Sequence, residues 1–295
     1  MSADRAPAAA GAIPAAPRTL ADRLAMPRYL VRHGPLAVAL VGLFLLTALL
    51  GPSLAPHSIT DTNLAIALQS PSADHLLGTD ALGRDVFSRL LSATRVAAQA
   101  FVIVVLIGGV LGTLLGTLAG GLGGLLDMVV SRGTEVVQGF PTVLVAIVIV
   151  ALTRPTLTNA MVAVGIAAIP DFARVSRGVA IQLRDREFIQ AARGLGASEI
   201  RILWSEVLPS MVGPLIIVAS FDGAQAVLWE AALSFLGLGV QPPAPSFGSM
   251  LKEAQSYLSI QPWLAIVAGV AVSAVILGLN LLGDALSDYY DRAGR

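Results

Sequence analysis

The stretch from Arg184 to Pro209, RDREFIQAARGLGASEIRILWSEVLP, is charged and amphipathic, and long apolar runs lie on either side of it. We expect two short helices joined at Gly196, because glycine readily takes the left-handed conformation that ends a helix. Asp185 is predicted to cap the first helix and Ser198 the second. Pro209 is predicted to end the second helix, because proline has no backbone N–H to donate.

Each predicted helix carries its apolar residues on one face. On the first helix they are Phe188, Ala191, Ala192 and Leu195. On the second they follow the helical spacing i, i+3, i+4, i+7 and i+8, as Ile200, Leu203, Trp204, Val207 and Leu208. Charges of both signs fill the rest of the stretch, whereas helices that lie on lipid favour Lys and Arg on their polar face. The pattern therefore predicts a surface that docks on another protein.

The composition is that of an integral membrane protein. Of the 295 residues, 55% are hydrophobic and 13% are charged, about half the charged fraction of a soluble domain. The formal net charge is zero, which gives no electrostatic basis for binding nucleic acid. The only lysine, Lys252, lies in SMLKEA, and a phosphate-binding loop needs Gly-Lys-Ser/Thr. If ATP drives this protein, another polypeptide hydrolyses the ATP.

Six apolar segments are predicted to cross the membrane as one all-α domain, residues 35–295. Phe140-Pro141 breaks the third segment, and the fourth is weak. Residues 1–34 are rich in Ala, Pro and Arg and are predicted to be a mostly disordered tail. The six segments are residues 35–50, 97–126, 127–152, 157–174, 211–239 and 263–286.

The positions of Lys and Arg predict the orientation of the six segments. Fourteen of the nineteen Lys and Arg residues fall on the side of both termini and of the stretch 184–209. Because these residues concentrate in cytoplasmic loops, we expect both termini and that stretch to be cytoplasmic. Residues 52–95 are then extracytoplasmic.

The amphipathic stretch resembles the cytoplasmic loop of bacterial ABC importer permeases. That family's pattern is Glu-Ala-Ala, three residues, Gly, nine residues, Ile, one residue and Leu-Pro. The chain departs from it where Gln190 stands for Glu and Glu206 for Ile. The resemblance implies that residues 184–209 are the coupling loop that fits a groove on the ATPase, with Leu203 and Trp204 in its apolar stripe. The positions at the required spacing are Gln190, Ala191, Ala192, Gly196, Leu208 and Pro209.

Three further blocks resemble the C-type permease subunit of dipeptide, oligopeptide and nickel importers. They are GTDALGRD at residues 78–85, EAALSFLGLGVQPPAPSFGSML at 230–251 and NLLGDALSD at 280–288. With the loop, the resemblance covers residues 35–295 and implies a type I permease bundle in the bacterial inner membrane, most often for short peptides. The resemblance also implies that the chain is a transport subunit and not an enzyme.

The resemblance also implies the partners of the chain. They are a second homologous permease, two ATPase domains, an extracytoplasmic substrate-binding protein and membrane lipid. ATP and magnesium would bind to the ATPase subunits, and no cofactor is expected in this chain.

Two acidic residues, Asp222 and Glu230, lie within the fifth predicted span. A charge at the centre of a bilayer costs about 2.5–3.5 kcal/mol on insertion scales, so such residues normally face a cavity or a partner. They are candidates for the translocation path, or else form structural hydrogen bonds. The alternative function is a secondary transporter that uses both acids as proton or cation carriers, although no internal repeat is evident.

The Pro-rich loop of residues 241–261 is predicted to lie outside and to contain a short helix. Ser246, Phe247 and Lys252 are the candidates there for contact with the substrate-binding protein.

No metal site is predicted. The chain has no cysteine, and its three histidines, at positions 33, 57 and 75, form no close-spaced pair. Asp80 and Asp85 suggest turn and cap chemistry, because too few oxygen ligands cluster there for calcium. Asp85 is expected to cap a helix that continues into the second span.

Overall fold

The computed structural model describes the backbone of residues 20–293 and the side chains of residues 26–292. This part of the chain is helical and contains no β-strand. A 3-10 turn lies at Leu64–Ile66, and a π-helical turn lies at Leu203–Val207. The α-helices are α1 (Leu20–His33), α2 (Pro35–Leu54), α3 (Val86–Leu122), α4 (Gly124–Gln138), α5 (Thr142–Leu152), α6 (Leu157–Arg184), α7 (Glu187–Gly194), α8 (Glu199–Ile202), α9 (Leu208–Ser210), α10 (Val212–Phe235), α11 (Phe247–Gln255) and α12 (Trp263–Ala293).

Four of the described helices, α2, α3, α10 and α12, are long and apolar enough to cross a membrane. Helices α4 and α5 make a fifth span if they count as one, and they are bent by 85° at the break that contains Pro141. Helix α6, at about 42 Å, is long enough, but Asp171 and three arginines lower its apolarity. The all-helical membrane class is confirmed, and the count of six spans stays a prediction.

A stripe of small residues brings α3 and α6 together at the centre of the bundle. Gly108, Gly112, Gly116 and Gly120 recur every four residues along α3 and face α6. A methyl group on Gly112 would lie 2.5 Å from the carbonyl oxygen of Ile169. Only hydrogen at these positions permits so close an approach of two helices. Helices α2 and α10 pack on other sides of α3.

The segment between α2 and α3 caps one end of the bundle. The carboxylate of Asp85 accepts a hydrogen bond from the Ser88 N–H at 2.8 Å, so Asp85 caps α3 as predicted. Arg84 reaches Glu253 of α11 at 2.8 Å. The segment before α3 and the loop that carries α11 therefore lie at the same end.

Helix α1 packs against the C-terminal end of α12. The ring of Tyr29 lies 5.3 Å from that of Tyr289, and the guanidinium of Arg292 lies 5.7 Å from the centre of the Tyr29 ring. Residues 20–33 of the predicted tail form α1, and these aromatic contacts join that helix to α12. Residues 1–19 lie outside the described residues.

Candidate functional site

Helix α7 forms the first half of the amphipathic stretch, and the turn that follows it lies as predicted at Gly196, whose φ is +86°. The Ala197 N–H donates to the Ala192 carbonyl at 3.1 Å, and the Gly196 N–H donates to the Arg193 carbonyl at 2.9 Å. This pair of bonds is a Schellman motif, which needs the left-handed conformation at Gly196. Gly196 therefore sets the angle at which the chain leaves α7.

One of the two capping predictions is confirmed. Ser198 caps α8, and its hydroxyl accepts a hydrogen bond from the Arg201 N–H at 3.4 Å. Asp185 does not cap α7, since it follows the last residue of α6 and Arg186 is the N-cap. The reason is that α6 continues to Arg184, well beyond its predicted end at residue 174.

Pro209 does not end the second helix, contrary to the prediction. Helix α8, the π-helical turn, α9 and α10 follow one another almost without interruption from Glu199 to Phe235. The Leu208 N–H donates to the Leu203 carbonyl, five residues back, immediately before the proline. Because Pro209 lacks an N–H, the wider turn allows the helical path to continue past it.

The buried side chains of the stretch fix it to the bundle. They pack against Val179 and Leu183 of α6. Leu203 also lies beside Gly121 at the end of α3, where a methyl group would collide with the leucine side chain. Leu203 therefore supports the stretch from within, and Leu208 is half-buried beside it. The fully buried members are Ile189, Ile202, Leu203 and Val207.

An ion pair joins the two helices of the stretch across the turn. Arg193 Nε donates to Glu199 Oε1 at 2.7 Å, and Arg193 Nη2 donates to Glu199 Oε2 at 3.0 Å. The bond from Arg193 lowers the pKa of Glu199 and raises that of Arg193. Because the pKa of Glu199 is lowered in the fold, the ion pair contributes its full stability at a pH above the ordinary pKa of Glu. That contribution is lost as the pH falls through the lowered pKa. The pair is therefore intact at neutral pH.

A second set of apolar side chains in the stretch faces away from the bundle. Leu195 is 90% exposed, Trp204 55%, Ile200 50% and Phe188 44%. We call these four the docking residues, after the role that the sequence predicts for them. Exposed apolar groups collected on one short segment mark an interaction site. The predicted site residues Gln190, Ala191 and Pro209 are also exposed, while Ala192 is half-buried.

Asp222 lies on a groove within the bundle. The groove is open to the surface, and its empty volume is about 560 Å³ when the open space at its mouth is included; its polar lining includes Asp171, Gln225 and Thr142. Among the described residues, Oδ2 of Asp222 is buried without a hydrogen-bond partner. The side chain therefore has an unused acceptor in a space large enough for a polar ligand.

Glu230 lies elsewhere, in the packed interior. It is fully buried, and its Oε1 accepts a hydrogen bond from the Ser234 hydroxyl at 2.7 Å. The same hydroxyl accepts from the Val240 N–H at 3.0 Å. Glu230 thus helps to fix the end of α10 to the following loop, and it does not line the groove of Asp222.

The three residues predicted to contact a binding protein differ in exposure. Ser246 and Phe247 are completely buried: Ser246 caps α11 in a reciprocal arrangement with Ser249, and Phe247 packs in the apolar core. Lys252 is exposed on the same helix. Only Lys252 is placed to contact a partner in this conformation.

Two features escaped the sequence reasoning. The glycine stripe of α3 has a four-residue spacing that is visible in the sequence and is typical of close helix packing in membranes. The other feature is a group of three side chains, His57, His75 and Asp85, whose ligand atoms lie within 4.8 Å of one another. Only the fold of the segment before α3 brings them together.

The architecture of the described helices has a counterpart among solved structures. It is similar to a chain of the MetNI methionine ABC transporter solved in inward-facing conformations. That likeness has a TM-score of 0.54 at 18% identity and covers 71% of this chain and 96% of the other. The likeness concerns the fold.

Residues 112–295 match the family of binding-protein-dependent transport system inner membrane components, and the chain belongs to this family. It is a multi-pass inner-membrane transport subunit and not an enzyme. The dipeptide transport system permease protein DppC of Alkalihalophilus pseudofirmus is 39% identical over 86% of this chain and 85% of its own length. The glutathione transport system permease protein GsiD of Salmonella typhimurium is 44% identical over 75% and 73%.

Proposed function

We propose that this chain is one permease half of an ATP-driven importer of short peptides. The observation that carries the proposal is the division of residues 184–209 into a buried set that anchors the stretch and an exposed apolar set that awaits a partner. The relatives named for dipeptide and glutathione transport support a peptide substrate.

The complete transporter contains a second, homologous permease, two ATPase domains that bind ATP and magnesium, and an extracytoplasmic substrate-binding protein. The bundle crosses the membrane six times, with α6 and the bent pair α4–α5 included. Both termini and the docking residues lie in the cytoplasm, where ATP is available. The contact of α1 with the C-terminal end of α12 supports termini on one side, and the positive-inside rule gives that side.

Transport follows from motion of residues 184–209, which carry the docking residues and which we call the docking stretch. ATP binding closes the ATPase pair and displaces the docking residues, and the bundle opens outward to receive substrate. The nearly unbroken helical run from Glu199 to Phe235 carries that displacement to the groove of Asp222. Hydrolysis and product release reset the bundle.

The groove of Asp222 belongs to the translocation path. Two carboxyl groups, those of Asp171 and Asp222, line it together with the amide of Gln225. A protonated peptide amine donates hydrogen bonds to such carboxyl oxygens. Glu230 has a structural role at the end of α10.

The alternative of a secondary carrier is not favoured, because the family is one of binding-protein-dependent systems. In such a carrier Asp222 and Glu230 would act together, yet they occupy different environments here. Uptake driven by an ion gradient, with this chain alone in vesicles, would overturn the proposal.

The test is a Trp204→Ala, Leu195→Ala double variant in vesicles that hold the complete transporter. Burying one large apolar side chain contributes about 1.5–3 kcal/mol, and 1.4 kcal/mol is a factor of ten in affinity. We expect ATP-dependent uptake and retention of the ATPase during purification to fall at least tenfold. The fold should survive, because both side chains are exposed.

The control is Leu64→Ala, which removes an exposed leucine at the opposite end of the bundle, with an exposure between those of Trp204 and Leu195. It should leave uptake unchanged. Equal uptake by the double variant and the control would contradict the docking role of this stretch.

A further inference from the structure

His57, His75 and Asp85 form a compact group at the end of the bundle that carries the segment between α2 and α3. One ligand atom from each lies within 4.8 Å of the others. The two imidazole rings are 4.6 Å apart, and His75 Nδ1 is 2.9 Å from Asp85 Oδ1. Asp85 is buried, His75 is half-buried and His57 is exposed, so the group is fixed on one side and open to solvent on the other.

The hydrogen bonds of His57 fix which of its ring nitrogens is free. Nε2 lies 2.8 Å from the Asp74 carbonyl oxygen. A carbonyl only accepts, so Nε2 carries the proton and Nδ1 keeps its lone pair. Metal-binding histidines characteristically donate their other N–H to a carbonyl or a carboxylate, which orients the ring. His57 already has that arrangement.

The carboxylate of Asp85 is held by the helix it caps. Its Oδ2 accepts from the Ser88 N–H at 2.8 Å, which leaves Oδ1 for His75. The Ser88 hydroxyl in turn accepts a hydrogen bond from the backbone N–H of His57 at 3.1 Å. Ser88 therefore positions both His57 and Asp85 through separate bonds, and the three groups share one frame at the start of α3.

We propose that these three side chains bind a transition-metal ion, of which zinc is the best fit. The ion takes the place of the proton between His75 Nδ1 and Asp85 Oδ1, and His57 Nδ1 supplies the third bond. Two imidazoles and one carboxylate are a common zinc set, with bonds of about 2.0–2.2 Å. Ligand atoms then lie about 3.3 Å apart, so the His75–Asp85 pair opens by a few tenths of an ångström. The exposed His57 side chain makes the remaining adjustment.

The chemistry of the group selects the class of ion. Nitrogen ligands disfavour calcium and magnesium, which take oxygen, whereas imidazole suits zinc, copper and nickel. Three protein ligands leave the fourth tetrahedral position for water or for a group from another molecule. Bound metal ties the segment that follows α2 to the start of α3, which stiffens this end of the bundle.

The experiment measures zinc binding by the purified full-length chain in detergent, with an affinity tag that lacks histidine. Equilibrium dialysis followed by metal analysis gives the stoichiometry. We expect one zinc per chain, and a loss of affinity of at least about tenfold in His57→Ala and in His75→Ala. Cobalt in place of zinc should give the visible absorption of a tetrahedral site in the parent chain, and not in His57→Ala or His75→Ala.

The controls use the small number of histidines in the sequence. His33→Ala removes the third histidine, which lies in α1, and should leave zinc binding unchanged. Asp85→Asn keeps the cap on α3, because asparagine caps as well as aspartate, but removes the charge and should weaken binding. Zinc should also raise the melting temperature of the parent and of His33→Ala, but not of His57→Ala.

Equal zinc affinity in the parent and in the His57→Ala, His75→Ala double variant would overturn the proposal, as would the absence of measurable binding in the parent. Such a result leaves the transport role untouched, since the readout is metal bound to this chain and not uptake.

Discussion

Gly196 is the residue on which the shape of the docking stretch most depends. Its φ of +86° lies in the left-handed region, and its neighbours leave open space where a side chain would go. Any penalty for substitution there is therefore a backbone penalty and not a steric clash with the bundle. Two hydrogen bonds that close α7 require this one conformation.

Gly196→Val should weaken the docking stretch without preventing membrane insertion. A β-branched residue in the left-handed region is strained by about 1–2 kcal/mol or more. We expect faster backbone hydrogen exchange across α7 and a lower yield of ATPase on copurification. Gly194→Ala is the matched control, because Gly194 ends α7 without positive φ and with open space around it. Equal exchange and copurification in both variants would show that the turn does not matter.

At the scale of single residues, the sequence predicts those features that depend only on residues nearby in the chain. The φ of Gly196 and the caps at Ser198 and Asp85 depend on residues within a few positions, and all three were predicted. Asp185 was assigned to the wrong helix because the length of α6 depends on its packing against α3. His57 and His75 were read as separate because only the folded segment places them together.

Among the elements, the pairing of α3 with α6 is the most extensive contact in the described bundle. The glycine stripe replaces side-chain interdigitation with direct approach of the two backbones. In lipid there is no hydrophobic driving force between helices as there is in water. Close van der Waals packing at such a contact therefore contributes much of the free energy of helix association. The polar side chains of α6 pair with α4 instead, where Arg177 donates to Asp127 and Asp171 accepts from Gln138.

Gly112→Ala should destabilise the chain, because the new methyl group meets the Ile169 backbone and has no room to move. Overpacking of this kind costs about 1–3 kcal/mol. We expect a lower melting temperature in detergent and less protein in the membrane fraction. Gly109→Ala adds the same methyl group on the same helix but only touches the Phe172 ring at 3.5 Å, so it should be tolerated. Similar losses in both variants would point to helix propensity and not to this contact.

The molecule as a whole has two chemically distinct ends. One carries the segment between α2 and α3, α11 and the histidine group, tied together by Arg84 and Glu253. The other carries α1, the end of α12 and the docking stretch. Composition and apolar runs predicted the membrane class and most helices. The sequence did not predict that α6 extends to Arg184 or that the helical path continues past Pro209. Both features depend on packing between helices, which the pattern of residues along the chain does not show.

The orientation of these ends is tested by single cysteines in a chain that has none of its own. Ala73→Cys lies in the segment before α3, and Glu206→Cys lies in the docking stretch; both positions are exposed. In intact cells an impermeant thiol reagent should label only the first, and after permeabilisation it should label both. The cysteine-free parent measures background. The reverse pattern would invert the orientation and remove the docking proposal.

The π-helical turn at Leu203–Val207 sets the rotational phase of everything that follows it. A widened turn contains one residue more than a regular helix needs, and each residue turns the helix by about 100°. A variant shortened by one residue between 203 and 207 would regain regular spacing yet swing Asp222 about a quarter-turn away from Asp171. We therefore expect a one-residue insertion or deletion here to impair transport far more than a substitution at the same position, because only the change in residue count rotates Asp222 relative to Asp171.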